Sequence, residues 1–451
     1  MKIYFENIAP FERRVELDLQ LFNIIQYKNS NLSLALQRTL NLLGAGDYTG
    51  WESTPMIHTD LGQLKRFMLD PSKPVKVGID RGHVYGRSQA DFTYTWDDQL
   101  NHAVVSEFKI RFNKKLVYHR KAWEAKLFVN GLTDFIASRN LFLLQESQKS
   151  TPEERQRDID AGYTENMDLY NQVKNLPDKI YTITVNPDEI KEIPFSHIYP
   201  SGCFSFFNSE AQREFNSEIV SALSLLSYDV PYGTKSHWFR FDLKKALSFA
   251  ELKLDTSYNK YKSLEEPEVQ TYLKQLCKYA NIPVPKFELV LDHNGTFIGR
   301  RFTVVNEKGV KQNIADLSNE EQAIYYLVCK LSLFGYWTYD GLSYYDDVRI
   351  IDLSGLENFL SLDELFFFMV YVKYVFTDFR FLLTTKNNFV LRAFSMWTKQ
   401  QGLFHLQFNI YRFKNNETNA PIEKLTLRSD YEINFATIDT HYGLRMAGRY
   451  N

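Results

Sequence analysis

The residues best placed for chemistry are a lone acid closing an apolar strand and the polar loops that accompany it. Val348–Arg349–Ile350–Ile351–Asp352–Leu353 alternates as a strand and delivers one carboxylate, Asp352, to its end. A carboxylate there could hold a divalent cation. An acid beside it could take a proton from water, but the neighbour is Leu353, which accepts none. Upstream, the apolar run Leu21 to Ile25 passes through Gln26–Tyr27–Lys28–Asn29–Ser30–Asn31–Leu32–Ser33 into a helix. A strand, a loop of this length and a helix form the layout in which backbone N–H groups cradle a phosphate, a lysine neutralises it and a hydroxyl holds magnesium. Here Gln26 and Asn31 fill the glycine positions and Leu32 stands where the lysine would be. Asn31 could still turn left-handed, and Ser33 keeps its hydroxyl. Leu317–Ser318–Asn319–Glu320–Glu321–Gln322 opens another helix, with Ser318 and Glu321 spaced as a capping box. A later apolar strand runs into Thr384–Thr385–Lys386.

The elements that must position these residues follow from periodicity. Residues 2 to 8 alternate as a strand, as do Val15, Leu17 and Leu19. The helix after the loop carries Leu34, Leu36, Leu40 and Leu43 on its apolar side and stops at Gly44. Residues 75 to 120 are β-rich, and Val105 to Ile110 with Leu116 to Arg120 reads as a hairpin. Lys114, Lys115, His119, Arg120 and Lys121 cluster at its end, as a solvated tip or as a nucleic-acid patch. From Glu146 to Asn175 the chain turns polar, and Thr151–Pro152–Glu153–Glu154 is a helix start. Tyr181 to Val185 reads as a strand, Phe215 to Leu226 and Val269 to Ala280 as helices, and Phe287 to Val304 as strands about an Asn294–Gly295 turn.

Composition narrows the function classes. With 451 residues, 44% apolar and 24% charged, the chain is long enough for one large or several ordinary domains. A net charge of -2 gives no global attraction to nucleic acid. Cys203, Cys277 and Cys329 are few and far apart, which predicts a reducing compartment without a disulfide framework. No metal-ligand spacing occurs among the His and Cys residues, so no metal site is predicted. Met1 to Glu6 does not resemble a signal peptide, and Leu365 to Phe376, interrupted by Lys373, suits a buried helix better than a membrane span. A cytoplasmic protein is expected.

In order, these stretches resemble the P-loop, signature motif, Walker B strand and switch strand of the ABC/SMC-like ATPases of bacterial genome maintenance and phage defence. The ending Tyr442–Gly443–Leu444–Arg445–Met446–Ala447–Gly448–Arg449–Tyr450 resembles that of Septu-type and retron-associated defence ATPases. About 60 residues follow the switch strand, fewer than the nuclease domain of overcoming-lysogenization-defect proteins needs. The resemblance implies a mixed α/β fold, an ABC-type ATPase head with a P-loop-like core, an antiparallel β lobe and a short inserted helical arm. The expected divisions are 1–125 for the first half of the head, 126–285 for the arm and 286–451 for the second half. It also implies which groups are replaced: the P-loop lysine by Leu32, the signature glycine by Glu320, the general-base glutamate by Leu353 and the switch histidine by Lys386.

Such a chain is expected to be a pseudo-ATPase without cofactor. It would serve as scaffold or sensor in a homo- or hetero-oligomeric defence complex with a partner ATPase or nuclease. One alternative is a divergent ATPase that binds ATP and magnesium, with Lys28 on the phosphate and Glu357 or Asp363 as base. Another is a DNA-binding module using the Lys114 to Lys121 cluster.

Overall fold

The computed structural model describes residues 1–26, 31–43, 63–83, 85–99, 101–121, 124–149, 180–184, 238–240, 263–306, 308–336, 349–355, 379–386, 408–413 and 422–425, with single positions 151, 171, 174, 178, 390, 391 and 394. Period-two alternation of apolar and polar residues builds its first layer. β1 (Lys2–Glu6) and β2 (Val15–Asp18) pair, while β3 (Phe22–Gln26) departs to another sheet, followed by the helix α1 (Asn31–Leu42). β4 (Val75–His83), β5 (Gly86–Asp97), β6 (His102–Phe112), β7 (Lys115–Lys121), β8 (Glu124–Phe128) and β9 (Ile180–Thr184) complete an eight-stranded antiparallel sheet in the order β2-β1-β4-β5-β6-β7-β8-β9. Its inner face carries Ile3, Phe5, Val75, Val77, Phe92, Tyr94, Phe108 and Ile110, all buried. Its outer face carries charges.

The helix α2 (Val129–Lys149) covers the inner face near the β6–β7 turn. A Cβ on Gly131 would lie 2.3 Å from the Leu116 carbonyl oxygen, so only glycine allows this helix to approach β7 so closely. No helix over 129–149 is assigned from sequence, where the apolar residues Leu141–Phe142–Leu143–Leu144 run consecutively instead of at helical spacing.

β10 (Trp238–Arg240) is followed by α3 (Pro267–Tyr279), by the three-stranded antiparallel sheet β11 (Lys286–Leu291), β12 (Phe297–Val305) and β13 (Lys311–Asn313), and by α4 (Asn319–Tyr336). β14 (Arg349–Asp352), β15 (Phe379–Thr385), β16 (Phe408–Phe413) and β17 (Ile422–Leu425) then join β3 and β10 in a second large sheet. Its order is β10-β14-β15-β3-β16-β17, parallel throughout except for β17. Both faces are buried, which explains why β3 and β15 read as continuous apolar runs. Ile25, Ile350, Leu382 and Tyr411 join the core shared with α1 and the antiparallel sheet. Phe22, Ile24, Ile351, Leu353, Phe381 and Leu383 join the core shared with α3 and α4. The mixed α/β class with an antiparallel lobe is thus the architecture found.

Several expectations need correction. Leu34 is 40% exposed, and Ala35 takes its place beside Leu36, Leu40 and Leu43 in the core. Asn31 is the first residue of α1. β8 spans residue 125, and β9 and β10 pair into the two large sheets. Cys277 and Cys329 are free thiols with no exposure. Burial pushes the Cys277 thiol up to about 12 and raises Cys329 well above its ordinary value, so neither is a ready nucleophile. The expectations for 27–30, Gly44, 152–154, Cys203, 215–226, 365–376 and 442–450 lie outside the described residues.

Candidate functional site

The sheet order brings the ends of β14, β15 and β3 to one edge, with β15 in the middle. Asp352 pairs with Leu382, and Thr385 with Gln26. The carboxyl ends of parallel strands are where open α/β sheets bind ligands. β3 ends at this same edge with Gln26.

Asp352 is 1% exposed. Its Oδ1 accepts from the Ser354 backbone N–H at 3.0 Å and from the Ser354 hydroxyl. Ser354 Oγ in turn accepts from the Thr384 N–H at 3.0 Å and the Thr384 hydroxyl at 2.6 Å. A hydroxyl offers one donor and two acceptor positions, and all are used. The acid is therefore tied through Ser354 to the next strand, which fixes the β14–β15 junction. A metal at Asp352 would have to compete with Ser354 for Oδ1.

Leu353 points the other way. It is fully buried in the core of α3 and α4, and its N–H donates to the Leu382 carbonyl at 2.8 Å. A glutamate in its place would be desolvated among Ile351, Phe381 and Leu383. Gln26, at the end of β3, is 8% exposed and its Oε1 has no hydrogen-bond partner. Lys386 follows β15 and is exposed.

Ser318 opens α4 as the capping box predicts. Its N–H and hydroxyl donate to Glu321 Oε2 at 3.0 and 2.9 Å, and the Glu321 N–H donates back to Ser318 Oγ at 3.3 Å. Glu320 is exposed beside it, while Leu317 is half-buried. Gln322 turns inward and donates to the carbonyls of Ala315 and Leu317, at 3.1 and 2.8 Å. Leu353, Lys386 and Glu320 thus occupy three different settings: an apolar core, a strand end and a helix start. The side chains of Asn31, Leu32 and Ser33, and residues Lys28, Asn29, Ser30, Glu357 and Asp363 entirely, lie outside what is described.

The arrangement is mixed α/β with a large antiparallel sheet. No family profile and no curated protein matches the chain. Solved structures match at low identity. The chain is similar to the SMC head domain from Thermotoga maritima, with a TM-score of 0.40 and 8% identity over 95% of this chain and 98% of that one. For the Smc head from Pyrococcus furiosus bound to the C-terminal domain of ScpA, the TM-score is 0.36 and the identity 8%, over 99% and 98%. For the recombination mediator protein RecF the values are 0.38 and 11%, over 94% and 97%. Likeness at this level says nothing about chemistry.

Within the basic cluster, Lys114, Lys115 and Lys121 are exposed, whereas Arg120 is buried. Arg120 has no exposure and sits on the inner face of the sheet opposite Phe108 and Ala125. Alternation of side chains predicts this, since Tyr118 and Arg120 share a face. His119 is 2.9 Å from Glu107, which also holds Lys109 at 2.6 Å. Lys115 pairs with Asp134, and Lys114 occupies a left-handed turn position with φ 70°.

Among the described residues no group of three or more His, Cys, Asp or Glu could hold a metal, and no helix is long and apolar enough to cross a membrane. The Ser354 and Thr384 bridge was missed from sequence. Ser354 two residues after the strand acid was the available signal, but a serine at a strand end is too common to be read alone.

Proposed function

We propose that the chain is a catalytically degenerate ABC/SMC-like protein that serves as a scaffold or sensor subunit of a bacterial antiphage defence complex and holds a partner ATPase or nuclease. The observation that carries this reading is the direction of Leu353: the side chain where a general base is needed is wholly buried in an apolar core. Hydrolysis needs a carboxylate that reaches a water molecule, and that position faces packed side chains. The engagement of Asp352 by Ser354 supports the same reading, since the metal-directed oxygen already has partners within the chain. The defence setting rests on the order of the motif-like stretches and on the Tyr442 to Tyr450 ending. The SMC head solved with ScpA is an instance of such a head holding a protein partner.

Purified protein is expected to release phosphate from ATP no faster than the buffer blank. Leu353→Glu is expected to add no turnover and to lower stability by about 2–5 kcal/mol, read from urea denaturation. Hydrolysis at ordinary enzymatic rates, abolished by Lys28→Ala, would overturn the proposal in favour of a divergent ATPase. Affinity purification with the products of neighbouring genes should recover an ATPase or nuclease subunit in fixed stoichiometry.

A further inference from the structure

β11 is the edge strand of the small sheet. Among the described residues only β12 pairs with it, so its other edge turns backbone N–H and C=O groups outward. That edge is firmly held. The Tyr325 hydroxyl of α4 donates to the Pro283 carbonyl at 3.1 Å, and the Ile282 N–H donates to the Cys277 carbonyl of α3 at 3.0 Å. Of the eight large apolar side chains exposed among the described residues, four belong to this sheet and its flanks: Val284, Leu291, Val305 and Val310. Exposed apolar groups gathered on one small element and rimmed by polar ones mark a contact surface.

The two faces of the sheet differ. Lys286, Glu288 and Val290 share one face with Arg301, Val305 and Lys311, through the cross-strand pairs Lys286↔Thr303, Glu288↔Arg301 and Val305↔Lys311. Lys311 reaches across β12 to Glu288, and Lys286 and Arg301 are exposed beside them. Three cations thus share one acid on this face. Asp292, the next acid along the chain, is occupied with the hairpin turn, where it accepts from the Asn294 and Thr296 N–H groups at 2.8 and 2.7 Å. On the opposite face Phe287 meets Phe302 edge-on, 4.8 Å between centroids, and Leu291 is 53% exposed.

We infer that β11 is a docking edge for an extended segment of a partner protein in which acidic and apolar residues alternate. Laid beside β11, such a segment would complete the backbone pairing, set its acids against Lys286 and Arg301, and cover Leu291 with its apolar side chains. Lysine on an edge, with Pro283 and Pro285 before it, also guards against indiscriminate pairing. A cationic guard repels basic strands and admits acidic ones. The exposed apolar groups on the same sheet favour a protein over a nucleic-acid backbone. This surface rests on the partner-holding role proposed above, and that role is tested separately by affinity purification, whose result does not depend on this edge.

The test uses the full chain and a fluorescently labelled peptide of alternating Glu and Val, followed by anisotropy and by amide hydrogen exchange. Saturable binding is expected, with exchange slowed along 286–291. The double variant Lys286→Glu, Arg301→Glu, at two exposed positions, should keep its thermal midpoint and weaken binding by about tenfold or more. One of the two alternate sets of peptide amides must face β11, so N-methylating that set should abolish binding while N-methylating the other is tolerated. Absence of binding, equal binding of a Lys-Val peptide, undiminished binding by the double variant, or protection that falls outside β11 would overturn the proposal. So would equal tolerance of both N-methylated peptides, or duplex DNA that displaces the peptide and depends on the same two cations.

Discussion

The hydroxyl of Ser354 is saturated: it donates to Asp352 and accepts twice from Thr384. Replacing it with alanine leaves a buried carboxylate and a buried threonine short of partners. Ser354→Ala is expected to cost roughly 1–3 kcal/mol in urea denaturation. Ser354→Thr, which keeps the hydroxyl, should cost less. Two similar losses would mean that shape, not hydrogen bonding, holds the junction. The same logic separates Asp352 from Leu353. They are adjacent in sequence but serve opposite faces, so one is held by polar partners and the other by packing.

Elements are held where glycine permits close approach and where charges alternate. Gly131 lets α2 rest on the Leu116 carbonyl, a backbone group that cannot rotate away. Gly131→Ala is expected to destabilise by roughly 1–3 kcal/mol or to lift the helix from the sheet. Faster amide exchange along β7 than in the parent would report the second outcome. On the outer face, β6 and β7 are linked by Glu107. Partial burial raises the pKa of its carboxyl, but hydrogen bonds from Lys109 and His119 outweigh this and leave it below the ordinary value of 4.5. A depressed carboxyl contributes stability above its unfolded pKa and loses it as pH falls through the folded value. Glu107→Gln should therefore lower stability near neutrality and flatten the acid limb between pH 5 and the folded pKa, measured as denaturation midpoint against pH. An unchanged acid limb would remove Glu107 from the account.

At the scale of the molecule, the core that contains the antiparallel sheet also contains Ile25, Ile350, Leu382 and Tyr411 from the parallel one. The two sheets close on each other's apolar faces. A fragment of residues 1–125 would expose the inner face of β7 and strand β3 without β15 or β16. It is expected to be insoluble or molten, with no sharp thermal transition. A cooperative transition in that fragment would show that the lobe has a core of its own.

The alternating strands of the first lobe, the β11–β12 hairpin and the capped α4 were legible because each depends on neighbours in the chain: period two for a one-sided sheet, Asn294–Gly295 for the turn, Ser318 with Glu321 for the cap. The candidate edge was legible only as an order of stretches, since nothing local says that β15 lies between β3 and β14. Tertiary structure decided the rest through burial. It placed Leu353 in a core, withdrew Arg120 from the surface, closed Asp352 with Ser354 and left Arg81 Nη2 buried without a hydrogen bond. Sequence names which charges exist, whereas burial and partners set their energies, and both depend on strands separated by hundreds of residues in the chain.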